Sequence, residues 1–154
     1  MKRFLAITLC FVMPVTVFAG DNSYKMKYDG GSLTAKAGVD LKMHIDGNQV
    51  RFTSKGETLV DIPASAITEI SYGQDVHRRI GTAVGLAVVS FGIGALVAFS
   101  KSKKHFVGLT WANGDQKGGF AMQCDKNEYR GVLAALEGIT GKKAVNSEAM
   151  TVKN

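Results

Sequence analysis

Histidine, cysteine, serine and carboxylate side chains are where chemistry would have to reside in this 154-residue chain, and their spacing offers little of it. None of His44, His77 and His105 has another His, a Cys or a carboxylate at the spacing of a metal-ligand set, so no metal site is expected. Asp75 lies two residues from His77, but residues two apart on a loop rarely converge into a dyad. Ser65 and Ser90 lack the strand-to-helix turn that exposes a nucleophile. The glycines are followed by no Lys-Ser or Lys-Thr, as a phosphate-cradling loop requires. The expectation is a protein with no catalytic residues, no cofactor and no metal.

One constellation does suggest chemistry: His77-Arg78-Arg79 on one side of an apolar stretch and Lys101, Lys103 and Lys104 on the other. Cations flanking an apolar segment suit phosphate headgroups, each contributing ~1 kcal/mol near an anionic surface. These six residues are the candidate membrane and headgroup contacts. Nucleic acid is not expected, since the cations are not interleaved with exposed aromatics and the compartment is wrong.

The stretch between them, Ile80 to Ser100, contains 21 residues and no charge. At 1.5 Å per helical residue, about 20 residues cover the ~30 Å hydrocarbon layer of a bilayer. Gly81, Gly85 and Gly92 fall on one helix face, where small side chains let a second helix approach closely. Three arrangements stay open: a continuous span, a bent or re-entrant element broken near Ser90–Gly94, and a buried core helix. A span would separate the two halves of the chain, whereas a re-entrant element or a helix lying against the domain keeps them on one side.

Residues 1–19 set the compartment. Lys2 and Arg3 precede an uncharged run from Phe4 to Phe18, and Val17-Phe18-Ala19 supplies small residues where a signal peptidase cleaves. At ~15 residues the run is short for an anchor that needs about 20. Export to the cell envelope is therefore expected, with the mature chain facing the periplasm. Removal of Lys2 and Arg3 reduces a net charge of +6 to +4, a mild surplus that need not imply nucleic acid. It also removes Cys10, and Cys124, alternating with Phe120 and Met122, reads as a small buried hydrophobe.

The rest of the chain reads as strands closed by a helix. Residues 20–38 are polar and Gly-rich and expected to be flexible, although Tyr24, Met26 and Tyr28 allow a short edge strand. Leu41, Met43 and Ile45 alternate with polar residues up to Asp46-Gly47, a turn pair favouring positive φ, and Val50 and Phe52 continue the pattern on the return strand. Ser54–Glu57 is a second turn, Pro63 ends a strand, residues 63–66 form one helical turn, and Ile67–Tyr72 is another strand. His105–Trp111 and Gly119–Cys124 pair through Asn113-Gly114-Asp115. Asp125 with Glu128 forms a capping-box pattern, and Tyr129, Val132, Leu133 and Leu136 make one helical stripe that ends near Gly138 and Gly141. Residues 144–154 read as a disordered tail.

This order of strands, helical turn, strands and capped helix resembles the pleckstrin-homology-like architecture. Residues 61–73 (DIPASAITEISYG), the basic-flanked insert, 103–111 (KKHFVGLTW) and 125–143 (DKNEYRGVLAALEGITGKK) also resemble an uncharacterised group of exported bacterial proteins. The resemblance covers roughly residues 40–143. It implies an α+β fold, mainly antiparallel β: a curved sheet or barrel plugged by the C-terminal helix, spanning 39–143 and interrupted by the helical insert 80–100. It further implies binding of lipid headgroups, peptides or protein partners. The expectation is a non-enzymatic, membrane-tethered envelope module contacting membrane lipid and either a second copy of itself or an envelope protein. The alternative is a glycine-zipper oligomer or small membrane pore in which the β-domain is only a scaffold.

Overall fold

The computed structural model describes residues 23–73, 76, 80 and 105–147. Eight strands form one sheet: β1 (Ser23–Gly31), β2 (Asp40–Asp46), β3 (Gln49–Ser54), β4 (Glu57–Pro63), β5 (Ile67–Tyr72), β6 (His105–Asn113), β7 (Gln116–Cys124) and β8 (Val145–Asn146). Their order across the sheet is β4-β3-β2-β1-β7-β6-β5-β8, antiparallel throughout except for the parallel β5–β8 pair. Helix α1 (Tyr129–Thr140) follows β7. The expected α+β class, mainly antiparallel with one C-terminal helix, is what these residues form.

The alternation in the sequence becomes the two faces of the sheet. Met43 pairs with Tyr24 on one side and Phe52 on the other, while Leu41 faces Met26, all pointing into one apolar core. Val107, Leu109, Phe120 and Met122 continue that face through β6 and β7. The turns follow the local chemistry: Gly47 at φ 57°, Lys55 and Gly56 at 50° and 89°, and Gly114 at 59°. Pro63 closes β4, and Ala64–Ala66 form a single 3-10 turn leading into β5.

The sheet is strongly curled. β3 and β7 are three strand spacings apart, ~14 Å on a flat sheet. Yet the rings of Phe52 and Phe120 meet edge to face with centroids 4.8 Å apart. Phe120 also contacts Trp111 at 5.7 Å and Tyr28 at 6.2 Å, so the inner faces of the two halves close on one aromatic centre. Helix α1 lays Val132 and Leu136, both fully buried, against that core near β5 and β6.

Five expectations are corrected. β1 lies in the middle of the sheet, between β2 and β7, and is no edge strand. It runs through Gly30-Gly31 with a bulge between Tyr28 and Gly30, so residues 23–31 of the supposedly flexible 20–38 segment are core structure. Gly31, at φ 139°, passes so close to the Gly119 carbonyl and the Phe120 backbone that a side chain there would collide with both. Glu128 does not close a capping box. It sits at the N-cap of α1 without a side-chain cap, and its Oε2 accepts the Lys25 backbone N–H at 3.2 Å, bracing β1 instead. Gly138 lies within α1, and the helix ends at Gly141, which adopts φ 68° while its N–H bonds to the Glu137 carbonyl. The expected tail begins with structure: β8 pairs with Ser71 and Tyr72, and the Ser147 N–H and hydroxyl both donate to the Tyr72 carbonyl, at 2.8 and 2.9 Å.

Candidate functional site

The strands on either side of the apolar insert are direct neighbours. Tyr72 pairs with Val107 and Ser71 with Gly108, and the Gly73 N–H donates to the Phe106 carbonyl at 3.1 Å. The chain thus leaves the sheet at the end of β5 and re-enters it at the start of β6, one strand spacing (~4.8 Å) away.

The departing chain stays on the sheet at first. Val76 and Ile80, four apart and helical, are buried with Phe106 and Ala121 in a second, smaller apolar cluster. Phe106 and Gly108 alternate with the core-facing Val107 and Leu109, so this cluster lies on the outer face of the sheet, opposite the main core. Gly108 makes the contact fit. A Cβ there would collide with Val76 Cγ1, stand 2.6 Å from Ser71 Oγ and 3.1 Å from Ile80 Cδ1.

At the re-entry point His105 opens β6, opposite Cys124 on β7. Its ring stacks flat on Tyr129, the first residue of α1, with centroids 4.0 Å apart and planes 1° from parallel. Arg130 Nε–H donates to the Tyr129 hydroxyl at 3.1 Å, and that bond holds the guanidinium even further above its ordinary pKa. The foot of the insert is thereby clamped to the C-terminal helix. Cys124 behind it is buried, and desolvation, followed by the charges of Glu128 and Asp125, pushes its thiol up to about 12. It is a core side chain and not a nucleophile at neutral pH.

The same outer face carries a basic patch two and three strands away. Register aligns Phe106 with Gln123, Gln123 with Lys27, and Lys27 with Asp40, one row running from β6 to β2. In the next row Lys25 stands directly opposite Lys42, and beyond it His44 faces Arg51. Lys27 Nζ is paired with Asp40 at 2.7 Å and Arg51 with Asp61 at 3.0 Å. The bond to Lys27 draws the Asp40 carboxyl below its usual pKa. Lys25 and Lys42 have no ion-pair partner among the described residues. Two shallow open clefts flank them: one of roughly 410 Å³ running past Lys25, Lys27 and Gln123 to Asp125, and one of roughly 660 Å³ past His44, Thr53 and Lys55. Asp40 and Lys42 form the ridge between them.

The candidates His77, Arg78, Arg79, Lys101, Lys103 and Lys104, and the packing glycines Gly81, Gly85 and Gly92, lie outside the described residues, as does Asp75. His44 is half-buried, its Nε2 3.3 Å from the Thr53 hydroxyl. The pairing of Lys25 with Lys42 escaped sequence reasoning. The outward alternation of Lys25, Lys27 and Lys42 was visible, but the neighbouring of β1 and β2 was not. Among the described residues no group of three or more His, Cys, Asp or Glu side chains is placed to hold a metal ion. Among them, too, no helix is long and apolar enough to cross a membrane. No family model matches the chain and no curated protein is similar to it.

Proposed function

We propose that this chain is a non-enzymatic cell-envelope protein, exported by its leader, in which a pleckstrin-homology-like module is held at the membrane by residues 80–100. The observation that carries the reading is the adjacency of β5 and β6 on either side of that insert. A sheet cannot be divided by a bilayer, so β6–β8 and β1–β5 belong to one compartment. A straight single span is therefore set aside. Two full crossings would take about 40 apolar residues, and 21 uncharged ones are present. The insert then enters the membrane and returns within it, or lies along its surface, and both ends meet the sheet on the periplasmic side. The curl of the sheet around Phe52 and Phe120 and the packing of α1 support the pleckstrin-homology-like reading.

Cysteine labelling in spheroplasts tests this. In a Cys124→Ala background, Lys55→Cys and Lys117→Cys place a thiol on an exposed turn before the insert and on an exposed strand position after it. A membrane-impermeant maleimide should label both equally in intact spheroplasts, with the protein in the membrane fraction. Labelling of only one position overturns the one-sided topology, and full recovery in the soluble fraction overturns the tether.

A further inference from the structure

We propose that the outer face of β5, β6 and β7 is a docking surface for the first half of the insert, residues 81–90, continued as a helix from Val76 and Ile80. This goes beyond the tethered reading above. It gives that half a protein surface to rest on and leaves residues 91–100 as the part that reaches lipid.

Burial extends to the side of the sheet that faces away from the core. Thr110 lies between Leu109 and Trp111, and Ala121 between Phe120 and Met122, so both point away from the core that those neighbours fill. Pairing puts Ser71 beside Gly108, Gly108 beside Ala121, and Thr110 beside Gly119 on that same outer face. Yet Ser71 is 2 % exposed, Thr110 4 %, Ala121 0 % and Phe106 6 %, and Gly108 and Gly119 are buried too. Strands β1 and β2 show the opposite: their outward Lys25, Lys27, Asp40 and Lys42 are all exposed. Helix α1 is not the cover, since Val132 and Leu136 pack into the main core on the other side.

The cover is already in part on the patch. Val76 and Ile80 rest on Gly108, where an added Cβ would meet both, and they form one apolar cluster with Phe106 and Ala121. That single helical turn rises ~6 Å, whereas the patch from Phe106 to Thr110 runs ~14 Å along β6. About ten helical residues match that length. The chain that continues directly from Ile80 supplies them, because residues 81–90 are uncharged throughout. The small residues of the patch let a helix sit close, and removing its apolar side chains from water favours the contact.

The anchored turn also sets which face meets the sheet. At ~3.6 residues per turn, Ala83, Val84 and Ala87 fall on the face of Val76 and Ile80, and Gly81 and Gly85 fall on the far side. The docked helix therefore puts alanine and valine on the sheet and turns these glycines outward.

Paired cysteines in the full chain, in isolated membranes and in a Cys124→Ala background, test this. Thr68→Cys, Lys117→Cys and Lys27→Cys place a thiol at three exposed outer-face positions around the patch, on β5, β7 and β1. A short bismaleimide should join Ala87→Cys to at least one of them within a single chain, with a yield several-fold above that of Gly85→Cys. No cross-link from either position, in protein whose Trp111 emission is native, overturns the docking, and so do equal yields from both. A cross-link found only between two chains assigns the surface to a second copy and overturns the assignment of residues 81–90 to their own domain. Fractionation reads the tether separately. Membrane-bound protein without the Ala87 cross-link overturns this proposal and leaves the tether standing, whereas soluble protein that carries the cross-link overturns the tether and supports this surface.

Discussion

Two acidic side chains in the core, Cys124 and Tyr28, carry the residue-scale physics most plainly. Desolvation pushes both up to about 12, from 9.0 for the thiol and 10.0 for the phenol. Tyr28 keeps its proton on the Leu33 carbonyl, to which its hydroxyl donates at 3.3 Å. Each group is neutral when protonated, so the unfolded chain releases a proton at lower pH than the folded one. Stability should be flat with respect to these groups below about pH 9 and fall from there toward pH 12, by at most ~1.4 kcal/mol per pH unit for each group. Urea midpoints measured across that range check it. Cys124→Ala should remove the part of the decline that begins near pH 9 and leave the part that begins near pH 10. A decline unchanged by the substitution would exclude Cys124 as its source. That Cys124 is a buried, inert thiol was legible in its alternation with Phe120 and Met122, since a strand's period of two already assigns those three residues to one face.

Strands and turns were legible for the same reason, and their neighbours were not. The β2–β3 hairpin could be read because Asp46-Gly47 joins two alternating runs and pairs them locally. β1 has the same alternation, but nothing in it says whether one or two strands will pair with it. Only the long-range register with β7 makes it central. The Asp125/Glu128 pattern failed as a cap because a backbone donor on β1 offered Glu128 a bond that the helix start did not use. The same kind of contact decides whether the first turn of the insert stays docked. Gly108→Val places a branched side chain where Val76 and Ser71 already stand. Overpacking of this kind costs ~1–3 kcal/mol. The variant should therefore show a lower melting temperature together with faster tryptic cleavage after Arg78 or Arg79. A normal melting temperature and unchanged cleavage would mean that Val76 and Ile80 do not depend on the missing Cβ.

For the whole molecule, the topology predicts that the part of the insert beyond Ile80 can be replaced without loss of the fold. The strands that precede and follow it lie one strand spacing apart through the β5–β6 pairing. Loop-closure cost grows only slowly with length, by ~0.6 kcal/mol per doubling. Replacing residues 81–100 by a Gly/Ser linker of equal length should therefore preserve the near-ultraviolet dichroism of Trp111 and the buried Tyr28, while the protein moves from the membrane fraction to the soluble one. Retention in the membrane fraction would show that the tether lies elsewhere. Loss of the folded signal would show that the apolar residues belong to the core.

The sequence by itself determined the periodic features of this protein. A leader pattern, alternating strands, one amphipathic helix and a long uncharged insert are all written in residues close together in the chain, where side-chain period and charge act directly. Tertiary structure alone decided which strands lie side by side. From that came three things no local pattern encodes: the strands flanking the insert are neighbours in one sheet, Lys25 faces Lys42, and residues 145–147 return to pair with β5 and Tyr72. Each depends on contacts between residues that are distant in sequence, and such contacts form only when the apolar faces find a common core.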